Sequence, residues 1–180
     1  MGRKIESVNP EVIESPLSSE ELGMRYRALC DDPLYANIPG KIELDLWGRM
    51  VMSPPPSNYH GALQTRLGQL LAVLGGRAIV EVSVVNPNGV FVADVAWAST
   101  EFIRAHGFET PYTKAPELCI EVVSPSNSVK ELEEKRIAYL AAGAEEMWII
   151  YPQSKRCEFY GRQGLMPRSV YAVDLAGLFD

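Results

Sequence analysis

The sequence predicts an α/β fold of the mixed α+β kind: a central mixed β-sheet flanked by helices. Three observations predict it. Two Ser-x-x-Glu capping signals, Ser18 with Glu21 and Ser128 with Glu131, open segments with helical character. Several short runs of Val, Ile and aromatic residues read as strands. The order helix, hairpin, helix, several strands, helix, strands is that of one sheet with helices packed on it.

In chain order, residues 1–17 are polar and irregular and are expected to form a flexible arm, with a single domain over 18–180. A helix starts at Ser18 or Ser19 and runs through SEELGMRYRALC, ended by Asp31, Asp32 and Pro33. KIELDLWGRMVMS alternates apolar and polar residues around Gly48 and predicts a hairpin, after which PPPSNY is a break. From His60 to Leu74, leucines at 63, 67, 70, 71 and 74 keep helical spacing, and Gly75 and Gly76 stop the helix. AIVEVSVV and VFVADVAWA flank the turn residues NPNG. Residues 99–115 read as a loop with room for a helical turn. ELCIEVVS is the next strand, VKELEEKRIAYLAAG a helix closed by Gly143, and MWIIYP and RCEFYGR are strands around a PQSK turn.

Composition narrows the function classes. The 180 residues suit one domain with one sizeable core, and 47% apolar with 22% charged residues excludes a disordered or fibrous chain. A net charge of −6 offers no long-range attraction to nucleic acid or anionic lipid, so a polyanion site needs a local basic patch, a second subunit or bound cations. Three scattered cysteines build neither a disulfide framework nor a zinc cage. No signal-peptide core and no membrane-length apolar run is present, so the expected location is the cytoplasm, away from membranes.

The chemistry begins with an anomaly in ELCIEVVSPS: Glu121 interrupts an apolar strand. Strand alternation gives it the face of Cys119 and Val123, and gives Asp94, in VFVADVAW, the face of Val92 and Ala96. A carboxylate on a covered face is costly unless it is paired or binds a metal. The alternative for each acid is a strand end in water, or pairing with an arginine such as Arg136. On the following helix Leu132, Lys135, Tyr139 and Ala142 form one stripe, which turns Lys135 toward the sheet; Glu131, four residues earlier, offers a surface ion pair instead. An Asp, a Glu and a Lys held together suit phosphodiester hydrolysis. Mg²⁺ takes one or two carboxylates plus waters and phosphate oxygens, the main-chain carbonyl of Val122 can add a ligand, and an ammonium can orient water.

The segment EVVSPSNSVKELEEKRIAYLAAGAEEMWIIYP resembles the signature of the Uma-two family of putative restriction endonucleases, within the restriction-endonuclease-like PD-(D/E)XK superfamily. IELDLWGRMVMSPPPSNYH and FVADVAW resemble that family's upstream hairpin, Ser-Pro stretch, helix-starting His and aspartate strand, so the likeness runs from about Ser18 to the end. It implies a restriction-endonuclease-like core, Asp94 and Glu121 as Mg²⁺ ligands (Mn²⁺ as substitute), and DNA as substrate. Val123 stands where the superfamily often has its lysine, and Lys135 is the implied replacement. Glu43, His60 and Tyr139 are implied supporting residues; His60 reads equally as a hydrogen-bonded residue at a helix start, and Glu43 as a solvated hairpin acid. Ala93 replaces the proline that usually precedes the aspartate.

Three readings follow: a Mg²⁺-dependent endonuclease acting on DNA, a catalytically inactive nucleic-acid-binding or regulatory module with the same fold, and a small-molecule hydrolase or scaffold. Arg66, Arg77, Lys114, Lys130 and Arg136 are available for phosphate contacts, and gathering them calls for a homodimer or higher homo-oligomer.

Overall fold

The computed structural model of the chain describes residues 16–35 and 40–180. Most of the arm expected over 1–17 lies outside them. Four helices, α1 (Ser19–Asp31), α2 (Asn58–Leu71), α3 (Thr100–His106) and α4 (Val129–Ala141), accompany one eight-stranded sheet. Its strands are β1 (Ile42–Asp45), β2 (Met50–Met52), β3 (Arg77–Asn86), β4 (Gly89–Ala98), β5 (Leu118–Val122), β6 (Glu146–Tyr151), β7 (Arg156–Gly161) and β8 (Gly164–Met166).

Both capping boxes form. Ser18 accepts from the Glu21 amide and Ser128 from the Glu131 amide, while each glutamate reaches back to its own cap. Helix α2 starts two residues before the expected His60, because Ser57 takes the cap position and accepts from the His60 amide. The expected loop over 99–115 contains α3, capped by Ser99 and closed at Gly107. Strand β8, a short return on β7, carries too little apolar pattern to be read from sequence.

The sheet runs β2-β1-β4-β5-β6-β7-β8, parallel only at β5/β6, with β3 also on β4. Strand β3 pairs along nearly all of β4, so β1 and β5 must share the opposite edge of β4. They take different parts of it: β1 pairs at Gly89 and Val90, β5 from Val95 to Trp97. The edge between them is a fork.

Helix α2 buries Leu63, Leu67 and Leu71 against one face, with Val95, Trp97, Ile120, Val122 and Trp148. Each such side chain contributes about 1.5–3 kcal/mol, and Leu67→Ala would cost about 2–5 kcal/mol. On the other face Leu132 and Tyr139 of α4 meet Cys119, Met147 and Ile149. Helix α1 packs Leu22 and Tyr26 on Leu44, Val90 and Val92.

The expected face-sharing of Asp94 with Val92 and Ala96 does not hold. Ala93 and Ala96 join the α4-side core together, whereas Val92 belongs to the α1 side. The β3/β4 ladder drops the Glu81/Asp94 pair while keeping its register, and Glu81 has a φ of 54°, the left-handed region. Parity therefore breaks at Asp94. Among the described residues no helix is long and apolar enough to cross a membrane.

Candidate active site

The fork leaves main-chain groups that no neighbouring strand satisfies, and buried amides and carbonyls must find partners. Side chains supply them. Glu43, from β1, accepts the Val92 amide at 2.7 Å, and Asp94 accepts the Val122 amide at 2.7 Å. Lys41 donates to the Val92 carbonyl at 3.2 Å. The acids sit where the sheet divides, and a cleft of about 960 Å³ opens there. Its rims are the Pro54–Ser57 stretch ahead of α2 and the Ser124–Asn127 stretch ahead of α4.

Glu43, Asp94, Glu121 and Lys135 are 6%, 2%, 3% and 5% exposed, which rules out the reading of these acids as solvated and of Lys135 as a surface residue. Lys135 Nζ lies 3.0 Å from Glu43 Oε1 and 3.3 Å from Glu121 Oε1, so it joins β1 to β5 rather than pairing with Glu131. Glu131 is engaged by its capping box and by Asn127. Arg136, the alternative partner for the acids, binds Glu133 instead. Tyr139 donates to Glu121 Oε1 at 2.9 Å. Among the described residues nothing donates to Glu121 Oε2.

His60 Nε2 lies 3.1 Å from Asp94 Oδ1 but off the direction of a hydrogen bond, and this buried atom has no hydrogen-bond partner among the described residues. Three further residues were not singled out from the sequence. Lys41 forms an ion pair with Asp94 Oδ1, and its Nζ is 3.6 Å from Glu81 Oε2. Gln64 donates to Glu81 Oε1 at 2.6 Å and to the Asp94 carbonyl at 3.2 Å. The available signals were Gln64 on the leucine face of α2 and Lys41 two residues before Glu43.

Burial and charge set the protonation states. Burial pushes the Asp94 carboxyl up, but the His60 imidazole and the Lys41 ammonium more than offset this and hold it below the ordinary aspartate range. Burial raises Glu121, and Lys135 only partly pulls it back while Asp94 pushes it further up. Burial also works against the charge on Lys135, yet the Glu121 and Glu43 carboxylates hold that group above the ordinary lysine value. Lys135 is thus an ammonium, able to donate but not to accept a proton.

Among the described residues no three His, Cys, Asp or Glu side chains form a ready metal cage. The donors nevertheless fit a hard divalent cation that keeps several waters: carboxylate oxygens on adjacent strands, one of them without a donor among the described residues. Charge balance agrees. Glu43, Glu81, Asp94 and Glu121 face two ammonium groups, Lys41 and Lys135, a shortfall of two positive charges when all four acids are ionised. The basic residues expected for phosphate contacts (Arg66, Arg77, Lys114, Lys130 and Arg136) are absent from the described lining; the lysines there are Lys41 and Lys135.

The sequence model of a family described as Uma2, putative restriction endonuclease, matches residues 25–175. Among solved structures, a putative nuclease belonging to DUF820 from Anabaena variabilis ATCC 29413 aligns with a TM-score of 0.64 and 19% identity, over 81% of this chain and 94% of that one. At that identity the likeness establishes a shared fold. No curated protein matches the chain.

Proposed function

The chain belongs to the Uma2 family of putative restriction endonucleases, and from that premise we propose that it is a metal-dependent endonuclease hydrolysing DNA phosphodiester bonds. The observation that carries the reading is the meeting of Asp94, Glu121 and Lys135, from two strands and a helix, in one cleft. Asp94, Glu121 and the Val122 carbonyl would hold Mg²⁺, or Mn²⁺ in its place. Bound there, such an ion supplies positive charge that lowers the pKa of water and offsets charge growing at phosphorus.

The protein's own groups do the positioning. Lys135 and Tyr139 both hold Glu121 through Oε1, which leaves Oε2 available toward the cleft. Lys135 Nζ keeps its protons and donates them to orient water against the phosphate. Water oxygen bonds to phosphorus as its proton passes to solvent water, and the bond to one sugar oxygen breaks as that oxygen takes a proton from solvent water. His60 and Lys41 keep Asp94 ionised. A homodimer, with the two clefts facing opposite strands, would bring more basic side chains to the DNA, and light scattering on the purified protein tests that pairing. The proposed setting is the cytoplasm.

The decisive experiment is nicking of plasmid DNA in Mg²⁺ or Mn²⁺. Wild-type protein cuts, while Asp94→Asn and Glu121→Gln lose several kcal/mol of transition-state stabilisation, on the order of a thousandfold in rate. Equal cutting by all three would refute the assignment. DNA binding without cutting at any divalent ion concentration would instead select a binding module without turnover.

A further inference from the structure

Lys41 precedes β1, and its main chain is tied into the hairpin by the bond from the Ser53 amide to its carbonyl. Its side chain crosses the fork to β4, where the ammonium is surrounded by oxygens: Asp94 Oδ1 in an ion pair, the Val92 carbonyl at 3.2 Å and Glu81 Oε2 at 3.6 Å. Two carboxylate oxygens and one main-chain carbonyl are the ligand types a hard divalent cation takes. The surroundings are built rather than incidental. Gln64 fixes Glu81 and the Asp94 main chain together, and Glu81 holds its left-handed conformation opposite Asp94, where the strand ladder is interrupted.

The geometry points to Lys41 as a fixed cation in place of a second metal ion: its ammonium occupies the Glu81 side of Asp94 and limits the site to one divalent ion, held on the Glu121 side. This rests on the metal-dependent reading above. Lys41 is then a positioning residue. It fixes Asp94 by Oδ1 while the Val122 amide fixes Oδ2, and so sets the orientation of the carboxylate that the single ion meets. A neutral residue at position 41 raises the shortfall of positive charge from two to three and empties a pocket of oxygen ligands, which a second ion can fill.

The test counts ions rather than turnover. Full-length protein is titrated with Mn²⁺, with heat followed by calorimetry and unbound Mn²⁺ by its paramagnetic resonance signal. Wild-type protein binds one ion per chain, Lys41→Met binds two, and Lys41→Met with Glu81→Gln returns to one. A single ion in Lys41→Met, or two in wild type, overturns the assignment of Lys41 while leaving the metal-dependent reading intact. No ion in wild type overturns both. Should Lys41→Met fail to fold, Glu81→Gln in the wild-type background decides: one ion at wild-type affinity supports the assignment, and loss of that ion overturns it, because Glu81 would then belong to the first position.

Discussion

Adjacent strands of this sheet each bury a glutamate, and the two differ in everything but burial. Glu121 of β5 and Glu146 of β6 are 3% and 2% exposed. Glu146 is met by neutral donors: the Trp148 indole at 2.8 Å, the Ser169 hydroxyl at 2.7 Å and the Val170 amide at 2.7 Å. These bonds fasten residues 169 and 170 of the C-terminal segment to the sheet. Glu121 instead meets an ammonium and a tyrosine hydroxyl through one oxygen, while the other accepts nothing from the described residues and the side chain borders a cleft. A buried acid alone therefore does not identify a site. An incompletely satisfied acid among charges, beside an opening, is the informative pattern.

The contrast can be broken by mutation, and Lys135→Met is the severest case. It leaves Glu43 and Glu121 buried without their cation, an expected cost of about 3–5 kcal/mol in urea unfolding, and DNA cutting should also be lost. Next, Glu121→Gln should lower cutting on the order of a thousandfold without loss of stability, whereas Glu146→Gln should leave cutting intact. That second variant should cost about 1–3 kcal/mol, because an amide cannot accept from all three donors. Reversal of the two outcomes would erase the distinction drawn between the strands.

A pH series sharpens it. The raised pKa of Glu121 means that the fold favours its protonated form, so its contribution is fully present below the unfolded value of about 4.3 and is lost as pH rises through the folded value. In chelator-treated buffer the melting temperature of Glu121→Gln should gain on wild type across that interval. A flat difference would contradict the burial argument. The smallest effect belongs to Tyr139→Phe, which removes one hydrogen bond to Glu121 and should cost about 1 kcal/mol in stability.

Much of this was legible in the chain. The Ser18–Glu21 and Ser128–Glu131 boxes announce α1 and α4 because capping is decided within four residues. Lys135 shows in the stripe with Leu132 and Tyr139, because helical periodicity fixes which side chains share a face. Glu121 shows because its strand is apolar on both faces. Alternation failed at Asp94, where the left-handed Glu81 interrupts the ladder, and Glu146 stood just outside the strand expected from Met147.

By itself, then, the sequence determined α1, α2 and α4, most strands and the presence of acids and a lysine on covered faces, since these follow from capping, periodicity and the cost of burying charge. Only the tertiary structure decided how β1 and β5 divide the edge of β4, and hence which residues surround the acids. Lys41 meets Asp94 across 53 positions and Glu43 meets Val92 across 49. Contacts of that separation depend on strand pairing and on where the pairing stops, quantities that no local pattern of residues contains.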